Sequence, residues 1–204
     1  MNKEAGIWIV AIIILIGGGW YLYRHAERSP EPEQPAAYAN IFTDATDRLS
    51  FGYPDEMFLG AQHETTSWSA LSAAPGRIIA VATLPRSYIP GTNFSEARFS
   101  VGLSQEQSAI TSCLTPDNGA SSPETVVING HAFAKIVSTD AGAGNIYKTT
   151  SYRTVRDGAC YAVEYTIHST NIGNYPPEAG ITEFDAVKIG KTLEGVAASF
   201  QFLP

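Results

Sequence analysis

Basic side chains never cluster in this 204-residue sequence. Thirteen lysines and arginines stand singly among twenty aspartates and glutamates, for a net charge of −7. No row of cations exists to neutralise successive phosphates, which argues against nucleic acid as a partner. Cysteine is nearly absent. Cys113 and Cys160 are the only two, and their spacing is not the C-x-x-C of thioredoxin-like exchange. No internal repeat is visible. The G-x-S-x-G nucleophile elbow, the Walker A loop and the dinucleotide fingerprint are all missing. His63-Glu64 has no second histidine four residues on, so the H-E-x-x-H zinc signal fails. The sequence therefore calls for no cofactor and no metal.

One long apolar run is present. Residues 7–23 are almost unbroken in Ile, Val, Leu, Gly and aromatics. At 1.5 Å per residue they would span about 25 Å, at the lower edge of what crosses a hydrocarbon core. Trp8 at one end and Trp20, Tyr21 and Tyr23 at the other suit headgroup layers. The reading is a transmembrane anchor after a short flank, residues 1–6, which makes the lipid bilayer a partner through residues 7–23. A cleaved signal peptide is the alternative, but Tyr21, Tyr23 and Arg24 occupy the place of a small-x-small cleavage site. Residues 24–37, spaced by proline and glutamate, read as an extended stalk. Residues 38–204 remain for one domain with a sizeable core.

Orientation draws two opposed signals. Arg24 and Arg28 after the run slightly favour a cytoplasmic head by the positive-inside rule. Cys113 and Cys160, both in the head, form an even pair suited to a disulfide. Such a bond would close a loop worth about 4 kcal/mol in the chain-entropy model. Free buried cysteines are the alternative. The pairing is the expectation adopted, with an extracytoplasmic head.

Within the head, short strand-like runs dominate: 40–43, 49–53, 78–84, 94–103, 126–128, 131–139, 145–154 and 159–168. Asp157-Gly158 marks a hairpin turn. After it, Cys160, Ala162, Glu164 and Thr166 share one sheet face, and Tyr161, Val163, Tyr165 and Ile167 the other. Helix is expected at residues 105–113 and, more firmly, after Thr182 as N-cap with Asp185 three residues on. Val187, Ile189, Leu193, Val196 and Ala197 supply its apolar face, interrupted by Gly190 and Gly195. Phe200 and Phe202 alternate as a closing strand. The fold class is α+β, a curved antiparallel sheet with a packed C-terminal helix.

The opening hairpin ending in Leu49-Ser50-Phe51-Gly52-Tyr53-Pro54, the strands after Ile78, the hairpin of residues 146–168 and the closing segment 193–202 together resemble the PsbP/Mog1-like superfamily. That superfamily includes small bacterial lipoproteins and envelope proteins. The resemblance covers most of residues 38–204 and implies an accessory or binding fold more often than an enzyme. It carries over no catalytic residues.

Chemistry read directly from the residues stays sparse. His131 follows the turn Asn129-Gly130 and reads as a surface residue; His168 ends a strand beside a polar loop. Asn93-Phe94-Ser95 fits the glycosylation sequon, a short and common match. Two loops, residues 88–94 and 171–177, combine aromatics, asparagine and turn formers. Tyr88, Asn93, Asn171 and Tyr175 are the candidate binding residues, as rigid rings and exposed amides of a recognition edge. Ordinary turns closing a sandwich are the alternative. The functional expectation is a membrane-tethered, extracytoplasmic accessory head that binds an envelope protein or a small ligand without catalysis of its own. The competing expectation is a membrane-anchored hydrolase using scattered His and Asp/Glu residues. Histidine bonded to a buried carboxylate in a concave pocket would favour the hydrolase.

Overall fold

A computed structural model describes residues 38–60, 67–115 and 120–204. A three-stranded antiparallel sheet is ordered β1-β2-β10, from Asn40–Asp44, Leu49–Tyr53 and Gln201–Phe202. A seven-stranded antiparallel sheet is ordered β3-β4-β5-β9-β8-β7-β6. Its strands are β3 (Phe58–Gly60), β4 (Arg77–Pro85), β5 (Phe94–Ser104), β6 (Glu124–Ile128), β7 (His131–Gly142), β8 (Asn145–Arg156) and β9 (Ala159–Thr170). Helix α1 is Gln107–Thr111 and helix α2 is Ala186–Ala198. The α+β class and the helix packed on an antiparallel sheet agree with the sequence pattern. β3 has no sequence counterpart, because Phe58 and Leu59 lie exposed and leave no alternating pattern.

Three tight turns set the register of β6 to β9. Asn129-Gly130, Ala143-Gly144 and Asp157-Gly158 all place both residues at positive φ, and each joins strands that pair up to the turn itself. That is the twist two-residue hairpins require. Because side chains alternate, this register fixes two different faces of the large sheet. On one face lie Phe99, Val101, Tyr152, Val163, Tyr165 and Ile167, within the main core. The small sheet and α2 cover that face: Phe51 of β2 meets Phe99 at 4.8 Å, and α2 buries Ile189, Leu193, Val196 and Ala197.

The other face carries Cys160 and Ala162 beneath Trp68, Ala109 and Cys113, a smaller core of its own. The Cys113–Cys160 disulfide is formed and ties the end of the α1 region to β9. Trp68 lies so close to β5 that a Cβ on Gly102 would meet its carbonyl oxygen at 2.1 Å, so only glycine fits there.

Two expectations need correction. Helix α2 starts three residues later than its sequence signal suggests: Asp185, not Thr182, is the N-cap, accepting a hydrogen bond from the Lys188 N–H at 2.9 Å. Thr182 is drawn into a bridge with Thr92, its N–H bonded to the Gly91 carbonyl and its own carbonyl to the Asn93 N–H. The single-pass membrane topology, with the bilayer as partner and an extracytoplasmic head tethered to it, is also withdrawn. Among the described residues no helix is long and apolar enough to cross a membrane. The longest, α2, has 13 residues and is apolar on one side only. The run 7–23 that motivated the anchor, like the flank and the stalk, lies outside the described residues.

Candidate functional site

Helix α2 rests chiefly on β9, β5 and β2. The strip of the same sheet face over β7 and β8 is left less covered, and a cavity of about 630 Å³ opens there. Val187, Gly190, Lys191 and Glu194 line its helical wall. These positions, spaced by three and four, form one stripe beside the stripe that α2 buries. Val137 of β7, Ile146 and Lys148 of β8 and Ile167 of β9 line the sheet wall. Their common face follows from the pairing of Lys148 with Ile167 and of Val137 with Thr150. Gly190 enlarges the space: a Cβ there would meet nothing within 4 Å.

Charge in this groove is uneven. Lys135 pairs with Glu194 at 3.5 Å, and the Tyr165 hydroxyl donates to the same carboxylate at 3.4 Å. Lys148 and Lys191 have no ion-pair partner among the described residues. Burial pushes the phenols of Tyr165 and Tyr152 above their ordinary range, with the Glu194 charge adding to the effect. Both tyrosines therefore stay neutral and keep their protons as donors.

Beneath the opposite face sits a buried polar network. The Glu164 carboxylate accepts from the hydroxyls of Ser69 at 2.6 Å and Ser151 at 2.7 Å, and from the Ala70 N–H at 2.8 Å. The Arg153 guanidinium lies 3.8 Å away and donates to those same two hydroxyls. A smaller cavity of about 230 Å³ borders this network, lined also by Glu96, Arg98 and His168. His168 Nε2 bonds Asn145 Oδ1 at 2.9 Å, and its ring stacks on Tyr147 at 4.4 Å. Its partner is thus an amide and not a carboxylate. Glu96 lies opposite His168 in the sheet, four residues along β9 from Glu164. That offset is about 13 Å of strand between their backbone positions. Among the described residues no group of three His, Cys, Asp or Glu side chains could hold a metal ion. His63 lies outside the described residues, and His131 packs edge-on against Phe202 at 5.2 Å.

The candidate loop residues are partly brought together. Asn93 Nδ2 donates to the Thr170 carbonyl at 2.7 Å, and the Thr170 hydroxyl meets the Tyr175 hydroxyl at 2.7 Å. Asn171 follows Thr170 in the chain, but its side chain is spent on capping the next turn by accepting from the Gly173 N–H. Tyr88 packs on the main core, and no aromatic pairing joins it to Tyr175 among the described residues. Asn93 is not an exposed amide. It is 5% accessible, and both ends of its side chain are bonded inside the protein, which also removes it as a glycosylation acceptor in the folded state. Its Oδ1 accepts from the Phe184 N–H at 3.1 Å, and the Phe184 ring lines the large groove against Phe94 at 5.5 Å.

Sequence reasoning missed the groove. Its lysines come from β7, β8 and α2, far apart in the chain, and no spacing rule links them. Gly190 was the available signal, as a break in an otherwise good helical face.

No protein-family model and no curated protein matches the chain. Solved structures give weak, partial likenesses. A protein of Bacteroides thetaiotaomicron shares 15% identity at a TM-score of 0.44, over 80% of this chain and 48% of that one. The chain therefore spans about half the length of that protein. LpqN of Mycobacterium tuberculosis, described as involved in cell envelope biogenesis, shares 8% identity at a TM-score of 0.36, over 76% and 83% of the two chains. The cyanobacterial PsbP protein CyanoP of Synechocystis shares 14% identity at a TM-score of 0.32, over 80% and 91%. The likeness to a PsbP protein and to an envelope-associated protein is weak and partial.

Proposed function

We propose that residues 38–204 form a binding head without hydrolytic chemistry of its own, and that its ligand lies in the groove between α2 and the β7–β8–β9 surface. The carrying observation is the groove itself, a concavity of about 630 Å³ whose lining surface is mostly apolar with lysines and Glu194 among it, within the usual size range of small-molecule sites. The polar groups elsewhere support the non-catalytic part of the reading. Glu164 is fully engaged by two hydroxyls, an amide and Arg153, so it has little capacity left to move a proton. His168 faces an amide that cannot act as a base partner. In this reading the loop edge serves the groove: Asn93 positions Phe184, while Tyr88, Asn171 and Tyr175 are left as a secondary contact surface for a larger partner.

A neutral phenylnaphthylamine probe, fluorescent only in apolar surroundings, tests the site. The full chain should bind it, and Gly190→Leu, which places a side chain into the open space, should abolish that binding while the fold is kept. Equal fluorescence from a folded Gly190→Leu variant rejects the groove. Turnover of an ester, amide or glycoside by the purified protein rejects the non-catalytic reading.

A further inference from the structure

Resting on that groove assignment, we infer that the occupant is an amphipathic acid: a single aliphatic chain ending in one carboxylate, held by Lys148 and Lys191. Charge complementarity carries the inference. The chain as a whole is acidic, with a net charge of −7, yet the groove is lined by three lysines and one glutamate. Glu194 answers Lys135 only, which leaves two ammonium groups beside an apolar surface without a partner among the described residues. A cation at such a rim keeps its head in water and offers it to an anion that enters beside it.

The walls decide what is attached to that anion. Val137, Ile146, Ile167, Phe184 and Val187 present carbon, and Val187 is 69% exposed, an unusual cost for a branched aliphatic side chain next to a core. The polar groups in the floor are not free: the Tyr165 hydroxyl is bonded to Glu194, and Thr150 and Ser169 are buried. A sugar or a nucleobase would find too few donors and acceptors. A peptide would find none from the main chain, because β8 and β9 are interior strands whose backbone groups are paired on both sides. An aliphatic tail needs none of these groups.

Displacement of the neutral probe from the full chain distinguishes this inference from the groove assignment beneath it. Dodecanoate, below its micellar concentration, should displace the probe at about one-tenth the concentration needed for dodecanol, the advantage expected from two exposed charge contacts. Replacing both lysines, as Lys148→Gln with Lys191→Gln, should bring the two ligands to parity. Raising the salt concentration should narrow the wild-type preference. If dodecanol and dodecanoate compete equally in the wild type, or if the preference survives the double substitution, the acid is wrong while the groove stands. A probe that binds Gly190→Leu as well as wild type defeats both.

Discussion

Asn93 holds Phe184 in place. Its Oδ1 accepts from the Phe184 N–H at 3.1 Å while its Nδ2 donates to the Thr170 carbonyl at 2.7 Å, so one buried amide joins the start of β5, the end of β9 and the approach to α2. The loop before β5 and the groove are thereby one mechanical unit, although 91 residues separate the two partners of the first bond.

Replacing Asn93 by Ala should cost about 1–3 kcal/mol, because a partly buried N–H and a partly buried carbonyl each lose their partner. Urea unfolding gives the figure. The variant should also bind the phenylnaphthylamine probe more weakly, since the Phe184 wall is released. Unchanged stability with unchanged probe affinity would mean that water or a neighbouring group replaces the amide, and Asn93 would lose its positioning role.

Arg153 and Glu164 form a buried pair, about 3% exposed on each side chain, within a set of serine hydroxyls. Glu164→Ala should destabilise by about 3–5 kcal/mol, because it strands a buried guanidinium. Joint replacement with apolar side chains, Arg153→Met with Glu164→Leu, should recover much of that loss, since it removes both desolvated charges. Denaturant midpoints of the single and double variants decide this. A double variant no better than Glu164→Ala would show that the network is needed as a network, with Ser69 and Ser151 left unsatisfied.

Alkaline pH should unfold the protein through its buried tyrosines. Tyr152 and Tyr165 are pushed upward from an ordinary value of 10.0, first of all by burial. The folded state therefore keeps these protons after the unfolded chain has released them. Their contribution is complete below about pH 10 and is lost as pH rises toward the folded values. Urea midpoints should fall between about pH 9 and pH 11, and Tyr152→Phe with Tyr165→Phe should flatten that fall. A slope unaffected by the two substitutions would transfer the effect to other groups.

Much of this fold is legible in the chain because its strands are long and their faces differ. The alternation from Cys160 to Ile167 assigns each side chain to the correct face, since successive side chains of a strand point to opposite sides, and β9 is buried on both. The disulfide followed from isolation: two cysteines and no other sulfur chemistry to explain them. Helix α2 was visible, but its start was not, because Thr182 and Asp185 are both good caps and only the bridge to Thr92 chooses between them. The site was far less legible. Asn93 carries the residue type of an exposed loop amide, and its burial depends on Thr170 and Phe184, neither of them near it in sequence. The lack of an ion-pair partner for Lys148 and Lys191 among the described residues is likewise a property of packing.

Gly190 offers the sharpest separation of stability from binding. It sits inside α2, where glycine is about 1 kcal/mol less favourable than alanine. No steric reason requires it: a Cβ at this position would meet nothing within 4 Å, in contrast to Gly102, where Trp68 blocks any side chain. Its backbone is helical, so it has no need of a left-handed conformation either. Gly190→Ala should therefore raise the unfolding free energy by about 1 kcal/mol, read from urea denaturation. The same methyl group would project into the groove and should weaken probe binding in part, with Gly190→Leu weakening it fully. Such an opposition is expected where a residue is kept for the room it leaves and the fold gives up stability for it. A Gly190→Ala variant that is more stable and binds the probe as tightly as wild type would leave this glycine with no part in the groove.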